Sequence, residues 1–192
     1  RKYGAHGTSH KYVSQEAAKF LGKKAEELKI VTCHLGNGSS ITAVDGGKCI
    51  DTSMGFTPLA GVLMGTRSGD IDASAVEFLA RKKGMSHADT VTYLNKKCGV
   101  SGVSGVSSDF RDLCAGADAG NERCALALDM FAYQTKKFVG AYAAAMGGLD
   151  CIVFTAGIGE NTPTVRADVC HGLEFLGVRF DDMANDAKND GN

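Results

Sequence analysis

Three glycine-rich segments constrain the fold of this chain more than any other feature of its sequence. They are residues 34–40 (HLGNGSS), 64–70 (MGTRSGD) and 156–161 (AGIGEN). Glycine lets the backbone approach a ligand closely and reach positive φ, and clustered backbone N–H groups form concave sites for phosphate oxygens. The second segment also places Arg67 between glycines. Together the three segments predict loops that bind phosphate groups.

Composition indicates an ordinary globular protein. The length of 192 residues is enough for one sizeable domain or two small ones. The chain is 44% hydrophobic and 22% charged, as in an ordinary globular protein. The 25 glycines, about twice the usual share, follow no repeat, which argues against a collagen-like or low-complexity chain. A net charge of −1 provides no general attraction to nucleic acid or to an anionic membrane, so we expect neither as a partner.

The cysteine content and the first residue give expectations about the cellular compartment and about whether the chain is a fragment. Seven cysteines, never spaced as CxxC, predict reduced thiols and a cytoplasmic location. No run approaches the roughly 18 apolar residues of a membrane span, and no signal peptide opens the chain. The first residue is Arg1 rather than methionine, which indicates a fragment, a processed piece or a missing preceding part.

Apolar patterning predicts an α/β domain. Residues 30–34, 40–44 and 48–52 form three consecutive strands, expected to be antiparallel, with an Asp-Gly turn before the third. Residues 150–155 are almost continuously apolar, as in a strand covered on both faces. Residues 178–180 are a candidate edge strand.

Helical periodicity predicts helices between and after these strands. They span residues 8–21, 73–83, 86–97 and 121–146, with a further one that Thr162 caps and Pro163 enters. The buried stripe of the first helix is expected to be Val13, Ala17, Phe20 and Leu21. The helical region at about 72–120 is expected to project as a subdomain, with a small-residue connection at 101–108.

The first glycine segment follows a strand and leads into a hairpin. It is neither a Walker A loop, because no Lys-Ser or Lys-Thr and no helix follow, nor a GxGxxG fingerprint. One interpretation is a phosphate-binding turn and the other is a plain turn. His34 ends the strand beside these glycines, where a phosphate-facing role and simple packing are both open.

Arg67 is the candidate cation of the second segment. Its guanidinium suits the paired oxygens of phosphate or carboxylate, and the flanking glycines free the backbone to present it to a cleft. The alternative is a surface salt bridge to Asp70 or Asp72.

His6 and His10 have the spacing of a helical metal pair, but Gly7 lies between them and no Glu follows His6. We therefore favour a loop position in which His6 donates a hydrogen bond to a reacting oxygen, while His10 belongs to the helix start. The third glycine segment joins a buried strand to a helix start, where anions are favoured, and its alternative is a short connection. For residues 109–111, a helix N-cap at Ser108 or Asp109 is the alternative to ligand contact.

Taken together, these segments resemble the acetate kinase family, the acetate and propionate kinases of the actin–sugar kinase–Hsp70 superfamily. The matching motifs are residues 3–10 (YGAHGTSH), 32–38 (TCHLGNG), 51–59 (DTSMGFTPL), 64–72 (MGTRSGDID) and 154–161 (FTAGIGEN). The resemblance implies an actin-like, ribonuclease H-like α/β ATPase domain with a mixed sheet flanked by helices. Residues 1–192 would be the C-terminal nucleotide-binding domain of a two-domain kinase.

The resemblance also implies an activity, which is reversible phosphoryl transfer from ATP to acetate, giving ADP and acetyl phosphate with Mg²⁺. His6 and Arg67 would be catalytic, stabilising the transferring phosphoryl group. The residues expected to contact the nucleotide are His34, Leu35, Gly36, Asn37, Gly38, Asp109, Phe110, Arg111, Gly157, Ile158, Gly159, Glu160 and Asn161. Gly157 leaves room for a base, which favours ATP over pyrophosphate.

The family's remaining functional residues have no counterpart here. Its N-terminal domain carries a magnesium-linked Asn, a carboxylate-binding Arg and a catalytic Asp, and a Glu near its C-terminus helps to hold the metal. We therefore expect no metal ligand in residues 1–192, and we expect no turnover from this chain alone. A homodimer is implied. A propionate or butyrate kinase and a noncatalytic nucleotide-binding or dimerisation module are the alternatives.

Overall fold

The computed structural model describes residues 1–187. Four strands form one sheet, β1 (Lys29–Leu35), β2 (Ser39–Asp45), β3 (Lys48–Thr52) and β4 (Cys151–Thr155). Their order is β3–β2–β1–β4; β2 is antiparallel to both β1 and β3, and β4 is parallel to β1. The predicted antiparallel trio is confirmed, and the sheet is mixed.

Helices flank this sheet. Within the described residues they are α1 (Gly7–Phe20), α2 (Ala73–Lys83), α3 (His87–Lys96), α4 (Gly99–Ser104), α5 (Phe110–Asp118), α6 (Glu122–Met146), α7 (Ala156–Asn161), α8 (Pro163–Cys170) and α9 (Asp182–Asp186), with 3₁₀ turns at Ala25–Glu27 and Glu174–Leu176. The predicted bounds of α2 are confirmed. Two predictions were wrong, because residues 101–104 of the small-residue connection belong to α4 and residues 178–180 form no strand.

The register of β1 and β2 creates two chemically different faces. Thr32 lies opposite Thr42 and His34 opposite Ser40, so these side chains share one face. The alternate residues, such as Cys33 and Leu35, are fully buried and contribute to the main hydrophobic core. One face of the sheet therefore carries hydroxyls and a histidine, whereas the other is apolar.

Helix α1 covers the polar face. Its buried residues are His10, Ser14 and Ala18, spaced four apart, and Ala18 packs with Ile30 and Val44 farther along the strands. The predicted apolar stripe was wrong, since Phe20 is 91% exposed. The buried residues recur every four positions, so Phe20, two positions after Ala18, points away from the sheet.

Helix α6 covers the apolar face. Asn121 caps it, accepting hydrogen bonds from the backbone N–H groups of Arg123 and Cys124, as its position at the predicted helix start indicates. Phe131 and Val139 are fully buried in the core. Along β4, an edge strand, all five residues are half-buried. Ile152 and Phe154 pack against the main core and Cys151 and Val153 against the second cluster, so the prediction of two covered faces is confirmed.

The helical region after the second glycine segment braces that segment. Three N–H groups donate to its carbonyls, from Val100 to Met64 at 2.8 Å, from Ser101 to Gly65 at 3.0 Å and from Cys98 to Thr66 at 3.0 Å. Helices α4 and α5 pack on α6, and α2 packs with α3. None of the helices in residues 1–187 is long and apolar enough to cross a bilayer.

Gly99 tests this bracing. Its φ is +66°, and a Cβ there would lie 2.3 Å from the Met64 carbonyl oxygen. We expect Gly99→Ala to lower the free energy of unfolding by about 2–4 kcal/mol, from left-handed strain plus overpacking. The matched control is Gly84→Ala, with φ +62° and no atom within 4 Å, which should lose only about 1 kcal/mol. Equal urea midpoints for the two variants would contradict the bracing.

Candidate functional site

His6 occupies a strained position at the start of α1. It is the N-cap residue and adopts left-handed backbone, φ 60°, which costs a non-glycine residue about 1 kcal/mol. Such strain persists where the surroundings hold the residue, and it concentrates at functional sites. The His6 ring stacks on that of His34 with the centroids 4.0 Å apart.

Hydroxyl groups hold three histidine rings together, and we call His6, His10 and His34 the histidine cluster. Ser40 Oγ lies 2.8 Å from His6 Nδ1 and 2.7 Å from His10 Nε2. His10 Nδ1 lies 2.7 Å from Thr32 Oγ1, and His34 Nδ1 lies 2.9 Å from Ser9 Oγ. Every ring in the cluster is therefore oriented by a hydroxyl group.

Burial keeps the histidine cluster neutral. It lowers the pKa of His10 to about 4, with smaller contributions from His34 and His6. Burial also lowers the pKa of His34, and it lowers the pKa of His6 together with the neighbouring His34 and Arg67. Of the groups that lower the pKa of His6, Arg67 is the one that is positively charged at neutral pH.

Arg67 reaches the first glycine turn. A Cβ on Gly38 would lie 3.1 Å from Arg67 Nη1, so the missing side chain makes room for the guanidinium. Nη1 donates to the carbonyl oxygen of Pro58 at 3.1 Å. The salt-bridge alternative was wrong within residues 1–187, because Asp70 accepts from the N–H of Gly61 and Asp72 caps α2.

An open cleft of about 640 Å³ continues from the glycine turn and brings the remaining predicted segments together. Its lining residues are Gly36, Asn37, Ser108, Asp109, Phe110, Arg111, Gly157, Ile158, Asn161 and Thr162. Gly157 has no atom within 4 Å of a Cβ position, so the cleft is open there. Parts of three sequence segments that are far apart in the chain thus line one space.

Asp109 is a helix cap as well as a residue of the cleft. Its carboxylate accepts the N–H of Arg111, so the N-cap alternative is confirmed. The Arg111 guanidinium pairs with it at 2.6 Å, and this hydrogen bonding lowers the pKa of Asp109 to about 2. Phe110 is buried and packs edge-on against Phe131, with ring centroids 4.8 Å apart. Its side chain therefore anchors α5 beside the cleft.

The third glycine segment is the short helix α7 rather than an open loop. The Glu160 carboxylate accepts the N–H of Ala156 and the hydroxyl of Thr155, both at 3.0 Å, so the chain supplies its own anion at this helix start. Ala156 enters the helix with φ 65°. Ile158 and Gly159 are buried. Asn161 faces the cleft, and its amide donates to the carbonyl oxygen of Gly157 at 2.8 Å.

Leu35 is the one member of the first glycine segment with a core side chain. It is fully buried on the apolar face of the sheet, so only its backbone is available to a ligand. His34, Gly36, Asn37 and Gly38 are at least partly exposed.

The residues around the turn do not fit a magnesium site. Mg²⁺ prefers carboxylate oxygens, whereas these side chains are imidazole, hydroxyl, amide and guanidinium groups. Among residues 1–187, no group of three or more His, Cys, Asp or Glu side chains is arranged to hold a metal ion.

Sequence reasoning missed the hydroxyl groups of this site. Ser9, Thr32 and Ser40 were not singled out, and His10 was assigned only to the helix start. The available signal was the alternation of polar residues along β1 and β2, at Thr32 and His34 and again at Ser40. Successive strand residues point to opposite faces, so polar residues at every second position lie together on one side of the sheet.

Comparison with known proteins identifies the family of this chain. A sequence model of the Acetokinase family matches residues 1–192. The chain belongs to this family. Acetate kinase of Heliobacterium modesticaldum is 61% identical over 190 residues, 99% of this chain and 48% of the relative. Acetate kinase of Methanosarcina thermophila is 58% identical over 185 residues, which are 96% of this chain and 45% of the relative.

Solved structures of Acetokinase relatives share the fold. The Porphyromonas gingivalis acetate kinase superposes with a TM-score of 0.96 at 50% identity, covering 98% of this chain and 47% of the other. A propionate kinase of Francisella tularensis superposes with a TM-score of 0.90 at 45% identity, covering 96% of this chain and 47% of the other. The predicted α/β, actin-like ATPase fold is confirmed. The chain spans about half the length of the curated relatives it matches.

His10 makes stability pH-dependent. Its pKa is about 4 when folded and 6.5 when unfolded, so between these values the unfolded chain binds more protons. Stability is therefore lost as the pH falls from 6.5 to 4, by about 3 kcal/mol. His10→Gln removes this titration, so we expect the wild-type protein to lose about 3 kcal/mol more than the variant between pH 7 and pH 4 in urea unfolding. Parallel pH profiles would show that His10 is not held neutral.

Proposed function

We propose that this chain carries the nucleotide-binding part of an enzyme that transfers a phosphoryl group reversibly between ATP and acetate, giving ADP and acetyl phosphate. One observation carries the proposal: His6 stacks on His34 and Arg67 meets Gly38, next to a cleft lined by Gly36, Asn37, residues 109–111, Gly157, Ile158 and Asn161. Membership of the Acetokinase family supplies the reaction class.

The catalytic roles fall to His6 and Arg67. The Arg67 guanidinium, donating to the carbonyl oxygen of Pro58, offers its remaining N–H groups and its charge to the transferring phosphoryl group. His6 lies nearby, and its ring donates a hydrogen bond to the phosphoryl group as an imidazolium, the form that a bound anion favours. In phosphoryl transfer most of the catalysis comes from positioning and charge stabilisation, which rigidly held side chains supply.

The nucleotide occupies the cleft in this proposal. Residues 34–38 bind the β- and γ-phosphates, through backbone N–H groups at Leu35 and through the more exposed neighbours. Residues 109–111 and 157–161 border the adenosine, with Gly157 leaving space for the base and Asn161 at the edge. ATP is therefore preferred to pyrophosphate as the donor.

The remaining assignments rest on family membership. We propose that residues 1–192 act as the C-terminal nucleotide-binding domain of a two-domain kinase, that the protein forms a homodimer and that Mg²⁺ is required. None of residues 1–187 is assigned as a magnesium ligand. All seven cysteines are free thiols, which suits the cytoplasm.

Propionate is the second candidate acceptor. The likeness to the Francisella tularensis propionate kinase, at 45% identity, favours it over longer acids. A noncatalytic nucleotide-binding or dimerisation module is the alternative of another class, and the size of the open reading frame around this segment distinguishes it. About a further domain of coding sequence favours the enzyme.

Hydroxylamine trapping of acyl phosphate tests the proposal. We expect the full-length gene product to form acetyl hydroxamate from acetate, ATP and Mg²⁺, and the 192-residue chain alone to bind ATP weakly without turnover. Propionate and butyrate in parallel define the acyl preference. ATP binding by the gene product without transfer to any of the three acids would favour the noncatalytic module, and robust turnover by the chain alone would overturn the division of roles.

Arg67→Ala tests the charge. Loss of a preorganised donor for transition-state charge costs about 10²- to 10³-fold in kcat, so we expect that loss with little change in nucleotide affinity. Arg67→Lys keeps the positive charge but not the paired N–H geometry, so its kcat should lie between those of Arg67→Ala and the wild type. The matched control is Arg81→Ala, because Arg81 is exposed on α2, where it pairs with Glu77 and lies over the Phe78 ring. An equal loss of nucleotide affinity in Arg67→Ala would assign Arg67 to ground-state binding.

A further inference from the structure

A chain of hydrogen bonds runs from the sheet to His6. It starts at the Thr42 carbonyl oxygen, 3.4 Å from Thr32 Oγ1, and continues at 2.7 Å to His10 Nδ1. From His10 Nε2 it passes through Ser40 Oγ, at 2.7 Å, to His6 Nδ1, at 2.8 Å. These four contacts link β1, β2 and α1.

The four contacts share four protons, one each from Thr32, His10, Ser40 and His6. A neutral imidazole has one N–H and one acceptor nitrogen, and a hydroxyl donates one proton. Because a carbonyl oxygen only accepts, the contact to Thr42 is occupied by a proton only if Thr32 donates to it. His10 then donates from Nδ1, Ser40 donates to His10 Nε2, and His6 donates from Nδ1. The opposite direction leaves the Thr42 contact without a proton.

Burial fixes this arrangement at its centre. His10 is 4% exposed, and Thr32 and Ser40 are 0% exposed. An imidazolium at His10 would carry an uncompensated charge in the interior, which burial disfavours. His10 therefore stays neutral and keeps one acceptor nitrogen, which faces Ser40.

We propose that His10 is a positioning residue that acts through Ser40 to hold the proton of neutral His6 on Nδ1, leaving Nε2 as the free acceptor nitrogen. This inference rests on the proposed function only in assigning His6 to the phosphoryl group. This tautomer limits how His6 can bind a phosphoryl group. His6 can donate from Nε2 to a phosphoryl oxygen only as an imidazolium, with both ring nitrogens protonated.

Ring ¹⁵N NMR of the full-length gene product, with labelled histidine, tests the tautomer directly, since an unprotonated ring nitrogen resonates far from a protonated one. His6→Gln assigns the signals. We expect neutral His6 to have its proton on Nδ1 in the wild-type protein, and Nε2–H to appear in Ser40→Ala and in His10→Asn. Nε2–H or a mixture in the wild type, or an unchanged tautomer in both variants, overturns the proposal.

A double-mutant cycle tests whether His10 acts through Ser40. Misplacement of a catalytic group costs about 10- to 100-fold in kcat, so we expect that loss from Ser40→Ala and from His10→Asn, with the nucleotide KM changed by no more than about twofold. The double variant should be no slower than Ser40→Ala. Losses that multiply would show that His10 acts independently, and would overturn the relay.

His10→Gln is the matched variant for His10→Asn. The amide of Gln reaches the position of Nε2 and keeps a contact with Ser40, whereas the shorter Asn reaches only the position of Nδ1 and Thr32. Recovery to within about threefold of wild-type kcat in the Gln variant supports a positioning role, and equal losses in Gln and Asn contradict it. If the wild-type protein transfers no phosphoryl group, the proposed function fails, while the tautomer measurement still decides the relay.

Discussion

The antiparallel register of β1 and β2 is the constraint on which the rest of the structure depends. It aligns Thr32 with Thr42 and His34 with Ser40, so that one face of the central strands is polar and the other apolar. A slip of one residue would turn both faces over. Because of this register α6 packs against the apolar face, α1 crosses the polar one, and His6 at the start of α1 meets the strand ends where the glycine turn begins.

The second requirement of the site is a cation, Arg67, that is held in place with no salt-bridge partner among residues 1–187. Backbone hydrogen bonds from residues 98–101 brace the segment that carries Arg67. The helical region therefore supports the site. Rigid positioning matters because a charge that is already oriented needs no reorganisation when charge develops on a ligand.

Much of the fold could be read from local signals, and the failures have a common cause. The hairpin, α2 and the Asn121 cap follow from turn chemistry, periodicity and capping, which act within a few residues. Helix α7 was missed because its two glycines favour a loop. It is held from outside, by the Glu160 carboxylate at its start and by Arg166, whose Nη1 donates to the carbonyl oxygens of Gly159 and Glu160 at 2.9 and 2.8 Å. Similarly, the stripe of α1 was misjudged because the polarity of its partner lies elsewhere in the chain.

The amino-acid order alone specified the α/β class, the glycine turns and the candidacy of His6 and Arg67, because backbone permissiveness and side-chain chemistry belong to individual residues. It left open whether Arg67 pairs with a neighbouring carboxylate and whether His10 is more than a helix residue. Those answers came from packing, since Gly38 meets Arg67, and Ser40 joins His10 to His6, only when distant segments are brought within hydrogen-bonding distance. Hydrogen bonds and desolvation act over a few ångströms in space, and no local pattern along the chain encodes that proximity.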